Sequence, residues 1–164
     1  MIWPQHLFSI ILAVVFGGAI GLEREIRGKP AGLRTNVLIC LGAAVFTIMS
    51  EHMGEGRSDS LTRIAAQIVT GVGFLGAGAI IVDRGGIHGL TTAATIWLVS
   101  SIGMACGAGF YDLAAISTLL AIVVLLGLAR LERPLAGYLR KNSPERLSEE
   151  QDKTGQEPQS PRTD

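Results

Sequence analysis

Apolar side chains dominate five runs of the sequence, and short polar or glycine-rich segments separate these runs. Each run holds 17 to 20 residues, close to the roughly 20 residues with which an α-helix crosses a hydrocarbon core about 30 Å thick. The runs cover residues 4–22, 34–50, 64–82, 91–107 and 110–129. The pattern therefore predicts an all-α membrane protein, a bundle of five transmembrane helices.

Composition supports a membrane protein and argues against several other classes. Of the 164 residues, 48% are hydrophobic and only 17% are charged, which is too apolar for an ordinary soluble domain of this length. The net charge of zero gives no reason to expect a nucleic-acid partner. Because the composition is that of a membrane protein, membrane lipid is the first partner expected. Cys40 and Cys106 lie far apart, each inside an apolar run, and we expect two buried thiols rather than a metal pair or a disulfide.

Basic residues predict how the chain is oriented in the membrane. Ten lie in residues 23–34, 83–90 and 130–146, whereas only Arg57 and Arg63 lie in the segment between the second and third runs. The positive-inside rule then places the N-terminus outside and the C-terminus in the cytoplasm. We expect a transmembrane domain over residues 1–130, an amphipathic cytoplasmic helix over 131–141 and a disordered tail over 142–164.

Glycines recur inside the apolar runs at spacings that suit close helix packing. We expect this role for Gly17, Gly21, Gly73, Gly76 and Gly78. Residues 71–76 also match the string GxGxxG of dinucleotide-binding proteins. That motif requires a preceding strand and a soluble βαβ unit, whereas here it lies within a continuous apolar run, so we expect no cofactor.

The polar segment between the first two runs is the strongest candidate for a functional site. The strictly apolar part of the second run, residues 37–49, would span only about 20 Å as a helix. A transmembrane helix here must therefore extend into its flanks, which draws Arg34 toward the membrane. An ionisable residue at membrane depth often marks a functional site; the alternative is that Arg34 snorkels to the lipid headgroups.

A second polar segment, residues 83–92, lies at the same predicted membrane surface, and a five-helix bundle could bring the two segments together. The candidate polar cluster comprises Glu23, Arg24, Glu25, Lys29, Arg34, Thr35, Asp83, Arg84, Thr91 and Thr92. Pairing of Arg34 or Arg84 with a glutamate, and of Arg24 with Asp83, would reduce the cost of desolvation. The alternative is a solvated rim in which each charge faces water.

Several motifs, taken in order, resemble the MgtC/SapB family of bacterial inner-membrane proteins. They are GLERE at 21–25, GKPAGLRT at 28–35, GFLGAG at 73–78 and GLTTAA at 89–94, and the resemblance covers residues 5 to about 130. It implies a five-helix inner-membrane protein linked to magnesium homeostasis, growth at low magnesium and inhibition of the ATP synthase. The best-known virulence members carry a further soluble C-terminal domain, and we expect this chain to resemble the short form that lacks it.

Three classes of function follow from these features. The resemblance favours a regulator of another membrane machine, such as the ATP synthase. Charges near the inner ends of short helices favour an ion transporter or channel for magnesium or protons, which would require a homo-oligomer because five helices leave little room for a pathway. We find no metal-ligand pair and no nucleophile with a base at usable spacing, so we expect neither a catalytic nor a metal site, and no enzyme.

Overall fold

The structure, a computed structural model, describes residues 4–53, 58–83 and 86–141. Within these residues the chain forms five α-helices and one two-stranded hairpin. The helices are α1 (Pro4–Ile26), α2 (Leu33–Met53), α3 (Ser58–Gly78), α4 (Leu90–Gly107) and α5 (Tyr111–Lys141), and the strands are β1 (Ile81–Asp83) and β2 (Gly86–His88). The predicted succession of five helices is confirmed.

Four of the described helices are long and apolar enough to cross a membrane: α1, α2, α4 and residues Tyr111–Leu128 of α5. In α3 the described apolar part is shorter, Ala65–Gly78, and its 14 residues rise about 21 Å. Many large apolar side chains of the described residues are exposed on the surface of the bundle, including Phe8, Phe46 and Phe74. A protein with this surface lies in lipid rather than in water.

The third predicted run ends differently in the structure. A helix was expected over 64–82, but α3 ends at Gly78, and Ile81, Val82 and Asp83 pair antiparallel with His88, Ile87 and Gly86. The β-branched side chains of this segment favour extended backbone, and hydropathy alone does not distinguish such a strand from the end of a helix. The hairpin turns the chain back so that α4 begins beside the end of α3.

Helix α2 packs against α1, α3 and α4, and glycines permit the closest of these contacts. A Cβ atom added at Gly17 of α1 would lie 2.7 Å from Cβ of Cys40, and one added at Gly21 would lie 2.8 Å from Cα of Leu33. On the other side of α2, a Cβ atom at Gly103 of α4 would overlap the carbonyl oxygen of Cys40. The three helices are therefore in backbone contact.

The predicted packing glycines of α3 have looser surroundings. A Cβ atom at Gly76 would meet Ala93 of α4 at 3.6 Å, which is ordinary van der Waals contact. At Gly73 and Gly78 nothing lies within 4 Å. Among the described helices, α3 is thus attached to the bundle without the backbone contact seen between α1, α2 and α4.

The core lies where α1, α2 and α4 meet. Its fully buried side chains include Ile20, Val99 and Ile102. Cys40 and Cys106 are also buried and free, as the sequence predicted. The first turns of α5 contact α1, since Ser9 and the Tyr111 hydroxyl lie 2.9 Å apart in a hydrogen bond.

Helix α5 continues to Lys141 without a break. Residues 130 and 131, between which a domain boundary was predicted, both lie in this helix. The amphipathic face predicted over 131–141 depends on side chains outside the described ones, and the tail predicted over 142–164 lies outside the described residues.

Candidate functional site

The centre of the candidate site is a buried arginine at the end of α1. Arg24 is only 4% exposed, and its Nη2 donates a hydrogen bond to Oγ1 of Thr92, 2.8 Å away. Thr92 is equally buried, in the first turn of α4. This bond joins two segments that are 68 residues apart in the chain, residues 21–25 and 89–94.

Local backbone geometry places Thr92 opposite Arg24. Gly89 precedes α4 with a φ of 88°, a left-handed conformation that favours glycine. A Cβ atom there would overlap the carbonyl oxygen of Ala79, just after α3. Glycine thus lets α4 begin in contact with the end of α3, and Thr92 follows three residues later.

The negative charge of Glu23, next to Arg24 in the chain, is balanced by Arg27, which directly follows α1. Oε1 of Glu23 lies 2.7 Å from Nε of Arg27, one helical turn away, and the Glu23 side chain is only 8% exposed. Oε2 of Glu23 and Nε of Arg24 are buried without a hydrogen-bond partner among the described residues. The end of α1 therefore holds a buried carboxylate and a buried guanidinium, each with unused hydrogen-bonding capacity.

A Schellman motif ends α1 and directs the loop that follows. Gly28, with a φ of 60°, donates its backbone N–H to the Glu25 carbonyl oxygen, and Lys29 donates to that of Arg24. The Lys29 side chain itself is exposed. The first glycine of the GKPAGLRT motif, Gly28, therefore serves to end α1.

Glu25 and Asn36 fix the start of α2. Oε2 of Glu25 accepts a hydrogen bond of 3.0 Å from the backbone N–H of Leu33, the first residue of α2. Asn36 is fully buried, and its Nδ2 donates to the carbonyl oxygens of Ala31 and Gly32. Asn36 was absent from the predicted cluster, although asparagine commonly bonds to nearby backbone groups at turns and helix starts.

We expect Glu25→Ala to lower the free energy of unfolding in detergent by roughly 0.5–1 kcal/mol, because the first N–H of α2 loses its acceptor. Arg34→Ala is the matched control, since it removes an exposed charge from the same turn of α2. An SDS titration followed by circular dichroism measures both. Equal stability of the two variants would contradict a structural role for Glu25.

Arg34, Thr35 and Thr91 are exposed, and none of their side chains makes a hydrogen bond or ion pair with another described residue. The pairing expected between Arg34 and Glu23 or Glu25 is therefore not formed. Arg34 lies two residues before the buried Asn36, so helical geometry turns it to the opposite face of α2. Its exposure agrees with the snorkelling alternative.

The second polar segment, residues 83–92, contributes Thr92 to the site. Its carboxylate, Asp83, does not pair with Arg24. Asp83 Oδ1 lies 3.4 Å from Nε2 of His88 across the hairpin, while Arg24 is bonded to Thr92. Arg84 lies outside the described residues. Within the described residues, no group of three or more His, Cys, Asp or Glu side chains is arranged to hold a metal ion.

Comparison with known proteins gives one family and several relatives. The family model described as "MgtC family" matches residues 10–134. "Putative magnesium transporter YhiD" of Escherichia coli (strain K12) is 48% identical over 130 residues, covering 74% of this chain and 59% of the relative. "Protein MgtC" of Brucella abortus (strain 2308) is 44% identical over 142 residues, covering 85% of this chain and 57% of the relative.

A third relative is "Protein MgtC" of Salmonella typhimurium (strain 14028s / SGSC 2262), 43% identical over 122 residues, with 74% of this chain and 52% of the relative covered. The chain spans between half and three-fifths of the length of these relatives. No solved structure matches it. The family match contains the whole of the Arg24–Thr92 contact and confirms the resemblance drawn from the motifs. The chain belongs to the MgtC family.

Proposed function

We propose that this protein is a multi-pass inner-membrane protein that supports magnesium homeostasis and growth at low magnesium by regulating another membrane machine, such as the ATP synthase. In this proposal all five helices cross the membrane, the N-terminus is outside, and the Arg24–Thr92 end of the bundle faces the cytoplasm. The names of its relatives support the link to magnesium, and the distribution of basic residues supports the orientation.

The Arg24–Thr92 contact is the observation that carries the proposal. Two of the motifs that resemble the family, GLERE and GLTTAA, meet at this buried bond. A buried arginine near the end of a membrane helix is costly unless it is compensated, and such residues usually serve a function. The contact couples the end of α1 to the start of α4, which gives a partner at the cytoplasmic surface a defined structure to recognise.

The packing of the bundle favours a regulator over a transporter formed by one chain. At the level of Gly17, Gly21 and Gly103, backbone contact of α2 with α1 and with α4 leaves no space for a hydrated ion. The alternative is an oligomeric transporter or channel for magnesium or protons. Oε2 of Glu23, which has no partner within the described part of the chain, and the name of the Escherichia coli relative favour it, because a buried carboxylate at membrane depth is typical of ion and proton pathways.

Two measurements on the full chain test the proposal. In a bacterium deleted for its own MgtC-family protein, we expect expression of this chain to restore growth at limiting magnesium. In liposomes that contain only this protein, we expect the flux of magnesium and of protons to equal that of empty liposomes, since a regulator provides no pathway. ATP synthase subunits are expected to copurify with it.

Failure to restore growth would contradict the link to magnesium. Restored growth together with magnesium or proton flux above the empty-liposome rate would instead establish the transporter. An Arg24→Met variant in the same liposomes serves as control, because a flux through the protein should depend on the charges at its inner end.

A further inference from the structure

An open apolar groove of about 550 Å³ runs between α2 and α3. Glycines on both helices line it, together with large apolar side chains and one polar residue, Gln67. Its lining includes Leu38, Gly42, Phe46, Gln67, Gly71 and Leu75. The proposed function does not use this groove.

The groove lies at the depth of the hydrocarbon core. The middle residue of α2 is Ala43, and the α2 residues that line the groove, between Leu38 and Phe46, lie within five positions of it. Five residues of helix rise about 8 Å, less than half of a core about 30 Å thick. Gln67 lines the groove with these residues, so its amide is also surrounded by hydrocarbon.

Gln67 has no hydrogen-bond partner at this depth among the described residues. Its side chain is exposed and bonds to no other residue that the structure describes. An unsatisfied amide in hydrocarbon costs free energy, and amide side chains of membrane helices usually bond to a neighbouring helix.

We propose that a second copy of this chain fills the groove, with the α3 helices of the two copies packed about a two-fold axis. A carboxamide carries both donors and an acceptor, so the Gln67 amides of the two copies satisfy each other in a symmetric contact. Gly42 and Gly71 let the second α3 approach closely. A lipid acyl chain fits the volume but offers no hydrogen bond to Gln67.

Two glycines of α3 provide a matched test of this interface. Gly71 lines the groove and Gly73 does not, while a Cβ atom at either position meets nothing within 4 Å in the single chain. We expect Gly71→Leu to reduce the dimer fraction in liposomes at least tenfold, because leucine occupies the space of the second helix. We expect Gly73→Leu to match wild type, as measured by single-molecule photobleaching of labelled full-length protein.

Thermal unfolding in detergent checks that both variants fold. A wild-type protein that stays monomeric at every lipid dilution would overturn the proposal and leave lipid in the groove. Equal loss of dimer in the Gly71→Leu and Gly73→Leu variants would also overturn it, because the interface would then not follow the groove.

Oxidative crosslinking in membranes locates the contact independently. We expect Gln67→Cys to form a covalent dimer, whereas Val69→Cys, an exposed position outside the groove two residues along α3, should form at most a trace. The unsubstituted chain controls for Cys40 and Cys106, which are buried. Crosslinking at position 69 equal to or above that at 67 would place the interface elsewhere.

Discussion

Arg24→Met is expected to abolish restoration of growth at limiting magnesium while the protein still inserts and folds. Methionine fills a similar space and removes a buried charge, so the bundle loses little stability. The hydrogen bond between α1 and α4 is lost, however, and with it the defined end of the bundle. Growth of the deletion strain, with membrane levels of the variant measured by immunoblot, gives the result.

Thr92→Val removes the same bond from the other side and should cause the same loss of growth. It leaves the guanidinium of Arg24 buried with one acceptor fewer, so we expect a decrease of about 2 kcal/mol in the free energy of unfolding. Arg34→Ala is the control, since it removes an exposed arginine nearby and should retain growth. Growth with Arg24→Met but not with Arg34→Ala would place the functional residues on the exposed face of α2.

Gly103→Ala is expected to cause a large loss of stability in the described bundle. The added methyl group would overlap the carbonyl oxygen of Cys40, and a backbone atom cannot move aside as a side-chain end can. We expect the free energy of unfolding to fall by about 3 kcal/mol, because overpacking forces α2 and α4 apart. SDS titration of the purified protein measures the change.

Gly73→Ala is the control for Gly103→Ala. It makes the same chemical change in a helix, but the new Cβ meets nothing within 4 Å, and alanine is the better helix former. Its stability should equal or slightly exceed that of wild type. A similar loss in both variants would mean that glycine flexibility, rather than close contact, determines the effect.

The hydrophobic pattern predicted the helices well but could not predict where α3 ends. Length and hydropathy identify an apolar run, and both are satisfied equally by a helix that continues to Val82 and by one that stops at Gly78 before a short hairpin. Helix α5 likewise continues through residue 130, where the hydrophobic pattern changes. A change from apolar to amphipathic composition alters the surroundings of a helix without breaking it.

The choice between Arg24 and Arg34 depended on helix rotation, which hydropathy does not report. The sequence nevertheless held a usable signal, because Arg24 continues the small-residue face of Ala13, Gly17 and Gly21 at helical spacing, and that face is buried in α1. Gly103 and Gly107, four residues apart in α4, showed the same signature. The partner of Arg24 was not predictable, since it depends on how α4 starts after the hairpin.

Side chains normally act as a compliant layer between helices, because they change rotamer when one helix moves. Where α2 meets Gly17 and Gly21 of α1 and Gly103 of α4, that layer is missing, since these glycines bring backbone against backbone. The three helices must therefore tilt as one stiff block. Helix α3 meets α4 near Gly76 at ordinary contact distance, so a change in membrane thickness or tension would be taken up by α3 sliding against the block.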